Sequence, residues 1–233
     1  MQILIQLQAH PRQVQQLRHW CLHEWGPSLT QAASLQKVIV NLALTEIQLL
    51  PYGQSESLQG EALDAVIQLW PHPQCNVTEF LQSLQQVLQE KAATMHIYQV
   101  SDTEVLNRQV LESAAAPVPG IKIMRGLFLY EDLPDTAAKR MWAHHSSLAA
   151  KVHIGLSRYA RHWVDRVITE HSPQIRGLSD LHFPDLDSIQ NRYFDSERGR
   201  EEISHDIGHF IQDGTVRFFG EEYILKNEIS RHG

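Results

Sequence analysis

The sequence predicts an α+β protein in which one plan, β-α-β-β-α-β, is used twice. Segments that alternate apolar and polar residues trade places with segments of helical period. Their order is the same on either side of residues 111–119. The first helix of each half also carries Trp-x-x-His, as Trp20/His23 and Trp142/His145.

In the first half, Met1, Ile3, Ile5 and Leu7 alternate with Gln2, Gln6 and Gln8 and form a strand. Pro11 suits the first turn of a helix, where a missing N–H costs nothing, and that helix runs to about Trp25. Leu35–Leu50 reads as a long strand and Ala62–Trp70 as another, stopped by Pro71 and Pro73. Asn76 with Glu79 three residues on marks a helix start of the capping-box kind. Val77, Phe80, Leu81, Leu84 and Leu88 supply its apolar face, and Met95–Val100 is the closing strand. The small residues and prolines of 111–119 form a linker between 1–110 and 120–233. In the second half, Ile121–Tyr130 is a strand, Asp135–Val152 a helix, and Leu156–Ile168 and Leu178–Phe183 strands. Asp187–Ile211 is helical with breaks near Gly199 and Gly208, and Val216–Ile224 is the last strand. This order is the ferredoxin-like plan, a four-stranded antiparallel sheet with helices on one face. Its bare face needs cover, and two such sheets in one chain can cover each other.

The bulk properties set bounds. Of 233 residues, 42% are hydrophobic and 20% charged, a globular composition. No apolar run reaches the ~20 residues of a bilayer span. A net charge of −7 argues against nucleic acid as a partner. Two cysteines make neither a disulfide framework nor a four-thiolate zinc site, and with no leader pattern at the N-terminus the expected compartment is the cytoplasm. Residues 117–233 hold nine of the 14 histidines and 15 of the 20 Lys and Arg, so chemistry is expected there.

The segments Met141-Trp-Ala-His-His-Ser-Ser-Leu148 and His153-Ile-Gly-Leu-Ser-Arg-Tyr-Ala-Arg-His162, followed by 177–183 and 194–202, resemble the EthD-like family of the dimeric α/β-barrel superfamily. Ile154 stands where that pattern usually has proline. The resemblance implies a barrel of two sheets packed face to face, built within one chain by duplication. The molecule is then either a monomeric pseudo-dimer or a homodimer. It also implies a small-molecule ligand and activities of the lyase, lactone isomerase or polyketide cyclase type, or an accessory role in ring degradation. Related barrels bind haem or act as cofactor-free monooxygenases.

Ala138, Met141, His145, Leu148 and Val152 share one helical stripe, which places His145 toward the sheet as an acid–base group or as a packed imidazole bonded to a carbonyl. Asp180 and His182 share a strand face by period 2. They point into the lumen if Leu181 and Phe183 face the helices, or toward water if the strand is an edge. Arg158 and His162 share a face suited to stabilising negative charge, or to an ion-pair ladder. Lys122, Met124, Phe128 and Tyr130 line the lumen if Ile121, Ile123, Leu127 and Leu129 face the helices, and Trp142 joins them as a ligand contact. His205 and His209 have a chelating i, i+4 spacing but no third ligand nearby, so a solvated face is expected; the same holds for His19 and His23. Cys21 is expected in the core. The resulting expectation is proton-transfer chemistry with no cofactor and no metal. A non-catalytic binding protein and a haem-binding barrel are the alternatives.

Overall fold

The structure is a computed structural model that describes residues 1–44, 63–109, 117–212 and 217–229. Eight strands form one closed antiparallel barrel: β1 (Gln2–Gln8), β2 (Leu35–Ala43), β3 (Ala65–Pro71), β4 (Thr94–Asn107), β5 (Pro117–Leu127), β6 (Arg158–Val167), β7 (Gly177–Phe183) and β8 (Arg217–Asn227). Their order around the barrel is β1-β3-β2-β8-β5-β7-β6-β4. The first four strands run β4-β1-β3-β2 and the last four β8-β5-β7-β6. Each set thus has its fourth strand beside its first and its third beside its second. The sets join through β2–β8 and β4–β6.

The strand alternation creates three layers. Ile3, Ile5 and Leu7 pack outward against the first-half helices, whereas Leu4 points into the barrel with Val66, Tyr98, Met124, Leu178 and Phe218. In the second half, Ile123, Tyr159, Leu181 and Phe183 pack outward under helix α4 (Asp135–Val152). The barrel interior is therefore a third core, enclosed between two helix-covered sheets.

Local chemistry explains where boundaries depart from expectation. The first helical run starts at Val14 and leaves Pro11 outside it, because Arg12 sits at φ 66° and cannot belong to a right-handed helix. The run comprises α1 (Val14–His19), a π-helical stretch over Trp20–Trp25 and α2 (Gly26–Gln31). Within the π stretch Trp20 and Trp25 stack, with ring centroids 4.7 Å apart. α3 (Val77–Gln89) is capped by the Asn76 side chain, which accepts from the Glu79 N–H as its sequence pattern predicts. β4 runs seven residues past Val100 because β6 offers it a partner along that length. β5 begins inside the expected linker, whose residues 111–116 lie outside the described ones. The expected strand positions 45–50 lie outside them too. The helical break falls between α5 (Leu186–Asn191) and α6 (Glu197–Ile207), where Ser196 caps α6 by accepting from the Gly199 N–H. Gly199 is therefore part of the helix start and not the break.

Gly120 sits at φ +121° where the β5–β8 register shifts, and a Cβ there would overlap the Phe183 carbonyl oxygen. Gly120→Ala is expected to cost about 1–3 kcal/mol of unfolding free energy, read by urea denaturation.

Candidate functional site

Five of the sequence-selected residues converge inside the barrel. Lys122 has no exposed surface. Its Nζ donates to Glu222 Oε2 at 2.6 Å and to Gln68 Oε1 at 2.7 Å, and lies 2.9 Å from Asp180 Oδ2. Arg158 donates to both Glu222 oxygens, at 2.8 and 2.5 Å. His162 Nε2 stands 3.4 Å from Asp180 Oδ2. His182 Nδ1 stands 2.7 Å from both Gln109 Nε2 and Ser157 Oγ. Asp180 therefore pairs with His162 and Lys122, and not with His182 as period-2 spacing alone suggests. Glu222 and Gln68 are partners that sequence reasoning missed, because only the closed barrel brings β3 and β8 beside β5.

Two cations and two carboxylates neutralise each other in this layer. Burial alone would raise both acids. Lys122, the His162 hydrogen bond and Arg158 nevertheless hold Asp180 far below the usual carboxylate range, and Lys122 and Arg158 hold Glu222 at about 2. Burial and the neighbouring Arg158 push His182 down to about 4, so it is neutral at pH 7. The charges of Lys122, Arg158, Asp180 and Glu222 thus balance, while His162 Nδ1, Asp180 Oδ1 and His182 Nε2 are buried with no hydrogen-bond partner among the described residues.

The other candidates lie elsewhere. Met124 belongs to the apolar lumen layer, and Phe128 packs against that layer. Tyr130 does not line the lumen: it is 39% exposed and its hydroxyl donates to the Gly208 carbonyl, because β5 ends at Leu127. Trp142 lies flat against Gly177 on the helix side, where a Cβ would collide with the indole. His23 is exposed, so the first-half Trp-x-x-His keeps a buried Trp20 without a buried histidine. His205 and His209 are exposed, and no group of three metal-ligating side chains occurs among the described residues. Cys21 is in the core, its thiol pushed up to about 12 by burial.

His145 occupies the interface between α4 and the sheet and is 8% exposed. The buried stripe of α4 is Ala138, Trp142, His145, Ser146, Ala149 and Val152, rotated slightly from the expected one. His145 Nδ1 lies 2.8 Å from Asp206 Oδ2, and its ring meets Phe210 at 5.6 Å between centroids. Burial lowers its pKa, against the opposing pull of Asp206. A carboxylate on Nδ1 fixes the tautomer and leaves Nε2 to act. Asp206 was legible in principle, since it extends the buried α6 stripe Gly199–Ile203 by three residues.

A cleft of about 610 Å³ opens at one end of the second half. Phe128, Leu129, Trp163 and Ile175 give it an apolar wall, and Arg166, Arg176 and Asp135 a charged rim. Leu129, Trp163, Trp142 and Phe210 belong to one packed cluster. Trp163 faces the cleft and lies 6.3 Å from Trp142, while Phe210 touches the His145 ring. The cluster of Leu129, Trp142, Trp163 and Phe210 thus connects the cleft wall with the surroundings of His145.

No family model and no curated protein matches the sequence. Among solved structures, an anthrone oxidase-like protein is similar over 100% of this chain and 96% of its own, at 9% identity and a TM-score of 0.65. A monooxygenase-like protein of Fusobacterium nucleatum is similar over 97% and 92%, at 6% identity and 0.56. A chlorite dismutase of Candidatus Nitrospira defluvii is similar over 96% and 91%, at 12% identity and 0.50. The chain has the dimeric α/β-barrel fold. No helix among the described residues is long and apolar enough to cross a membrane.

These neighbours correct the expectation that no cofactor takes part. Chlorite dismutases stand beside the monooxygenase-like barrels among the neighbours, so the fold gives no licence for a cofactor-free reading. No cofactor is shown for this protein. An iron tetrapyrrole needs an axial ligand, and among the described residues the cleft lining has no histidine, cysteine, methionine or tyrosine. His145 has the carboxylate-backed form of a metal ligand, but it lies in packed core beside Phe210. The residues present do not fit that group.

Two outcomes are expected from the lumen layer. Lys122→Met leaves two buried carboxylates short of a cation and is expected to cost about 3–5 kcal/mol by chemical denaturation. His182 and His153 are both held at about 4 against an ordinary 6.5, so the unfolded chain binds more protons between those values. Their stabilising effect is complete above pH 6.5 and is lost as pH falls toward 4. Tm is expected to be flat above pH 7 and to drop through that window, with a shallower drop in His182→Gln.

Proposed function

We propose that the chain is an EthD-like barrel of two ferredoxin-like repeats, 1–110 and 120–233, whose second repeat binds a small aromatic, lactone-like or polyketide-like compound and moves a proton on it. The shared strand order of the two sets supports the repeat, and Trp20 and Trp142 are its surviving sequence trace. The observation that carries the function is the His145–Asp206 pair at 2.8 Å, beside the packed cluster whose Leu129 and Trp163 line the cleft. His145 is the acid–base group, with Asp206 holding its tautomer. The ligand lies against Trp163 and Phe128, where apolar surface is offered. Lys122, Arg158, His162, Asp180 and His182 act as scaffold, since their charges are spent on one another. The class of reaction is isomerisation, dehydration or cyclisation.

Exchange of carbon-bound hydrogen for solvent deuterium tests this without prior choice of reaction. A panel of small lactones, phenolic ketones and β-diketones is incubated with the protein in D2O and read by mass spectrometry. At least one member is expected to exchange. His145→Ala is expected to slow it about 10²–10⁴-fold, and Asp206→Asn by a smaller factor. Exchange that survives His145→Ala removes the assignment. A panel that binds without exchanging favours a binding or accessory role.

A further inference from the structure

One lysine at an end of the barrel is left without a hydrogen-bond or ion-pair partner among the described residues. Lys37 is the third residue of β2 and stands opposite Trp70, the penultimate residue of β3, and Asn227, the last of β8. It shares a face of β2 with Ile39 and Asn41 by period 2. Asn41 reaches Gln68 beside Lys122, so this face is the lumen side. Ile39 packs there with Trp70, Val118 and Ile224. The ladders are irregular on either hand: the β2–β3 register shifts between Leu35 and Lys37, and the β2–β8 register between Val38 and Ile39. Such shifts re-aim side chains and recur beside functional groups.

The other lysines of the chain make the contrast. Lys91, Lys139 and Lys151 are exposed, where water solvates the ammonium. Lys226 donates to the Ala32 carbonyl and pairs with Glu228. Lys122 is enclosed by Glu222, Asp180 and Gln68. Lys37 alone is half-buried with neither a hydrogen bond nor an ion pair among the described residues. Its Nζ lies over the Trp70 indole, 4.5 Å from the ring centre, yet is not one of the unpartnered atoms sealed from solvent. Trp70 directs its own N–H to Asp102 Oδ2 at 3.4 Å. The charged groups that act on Lys37 are Asp102 on β4, Lys122 on β5, Arg158 on β6 and Glu222 on β8. Glu222 is already shared by Lys122 and Arg158. Burial lowers the pKa of the Lys37 amine and the two cations push the same way, against the pull of the two carboxylates.

An unpaired amine that touches solvent at the edge of an apolar cluster is placed to react. A neutral amine adds to a carbonyl carbon and an ammonium does not, so desolvation and neighbouring cations keep the reactive form at hand. We propose that Lys37 is a covalent capture site for small apolar aldehydes, which it binds reversibly as imines. In that step the Nζ lone pair forms the bond to the carbonyl carbon. The carbonyl oxygen leaves as water with the two N–H protons of the neutral amine, and no oxidant or reductant takes part. The apolar class follows from Trp70, Ile39, Val118 and Ile224, which surround the site. The inference goes beyond the acid–base reading, since Lys37 belongs to the first half and neither the cleft nor the His145–Asp206 pair includes it.

The probe is benzaldehyde with sodium cyanoborohydride, which reduces an imine to a stable secondary amine. Labelling at each lysine is read over time by peptide mass spectrometry. At pH 7 the wild-type protein is expected to be labelled at Lys37 at least about tenfold faster than at Lys139 or Lys151. Lys139 controls for an indole neighbour alone, since its Nζ lies 4.6 Å from the Trp163 ring centre while the residue is exposed. The rate at Lys37 is expected to level off at a lower pH than the rates at the exposed lysines. Asp102→Asn removes a carboxylate that favours the ammonium and keeps an acceptor for the Trp70 N–H. It is expected to raise the Lys37 rate at pH 7 about two- to fivefold and to leave Lys139 unchanged. A lysine that only packs on Trp70 would label more slowly than the exposed ones, because burial hinders access. Labelling of Lys37 no faster than that of Lys139, a plateau at the same pH, or a Lys37 rate that Asp102→Asn leaves unchanged or lowers overturns the proposal. His145→Ala is expected to leave the Lys37 rate unchanged, so this inference and the acid–base reading fail separately.

Discussion

Lys122 is a full charge with no exposed surface, and the barrel is arranged around it. Taking an ammonium out of water costs several kcal/mol even after relaxation. Here the cost is offset by two carboxylates from flanking strands and an amide from the opposite sheet. The consequence is register. A one-residue slip of β5 would turn Lys122 toward the helices and leave Asp180 and Glu222 buried without their shared cation. Because Gln68 belongs to the first half, the same contact ties the two sheets at one level of the barrel.

The sheet then acts as a partition. On the lumen side, charges are matched and enclosed. On the helix side, the second half holds one histidine backed by a carboxylate and an aromatic cluster that reaches the wall of an open cleft. Polar residues in a barrel interior look like a binding site until their partners are counted. Here the lumen charges cancel, and the His145–Asp206 pair under α4 lies beside the aromatic cluster that reaches the cleft wall, which is why function is placed there. Among the described residues of the first half, the helix-side cluster runs from Ile3 and Leu17 to Leu84 and Ile97 with no buried histidine in it.

Much of the fold was legible because its causes are local. Alternation marks β1 and β7, helical spacing marks α3 and α4, and Asn76 marks a cap. Period 2 grouped Lys122 with Met124, Asp180 with His182 and Arg158 with His162, and left open which face of each strand turns inward. What was illegible depends on contacts distant in sequence. Glu222 lies 100 residues from Lys122 and Asp206 lies 61 from His145, and no spacing rule reaches that far. The two halves share the tryptophan of Trp-x-x-His as a buried residue, but not the histidine. The π-helical turn over Trp20–Trp25 keeps both tryptophans buried and leaves His23 in water.

The two seams of the barrel also set the timing of its assembly. β2 pairs with β8 across most of the chain, Val40 opposite Tyr223, and β8 is the last of the eight strands to leave the ribosome. Until then β2, with Val38, Ile39 and Val40 in line, waits with an unpaired row of N–H and C=O groups, the condition that invites strand addition between nascent chains. Contacts this distant also close slowly. The inner face of the waiting sheet carries Gln2, Gln6, Asn41 and Gln68. In the finished barrel these amides are fully enclosed, but during synthesis they let a half-built barrel face water without sticking to its neighbours.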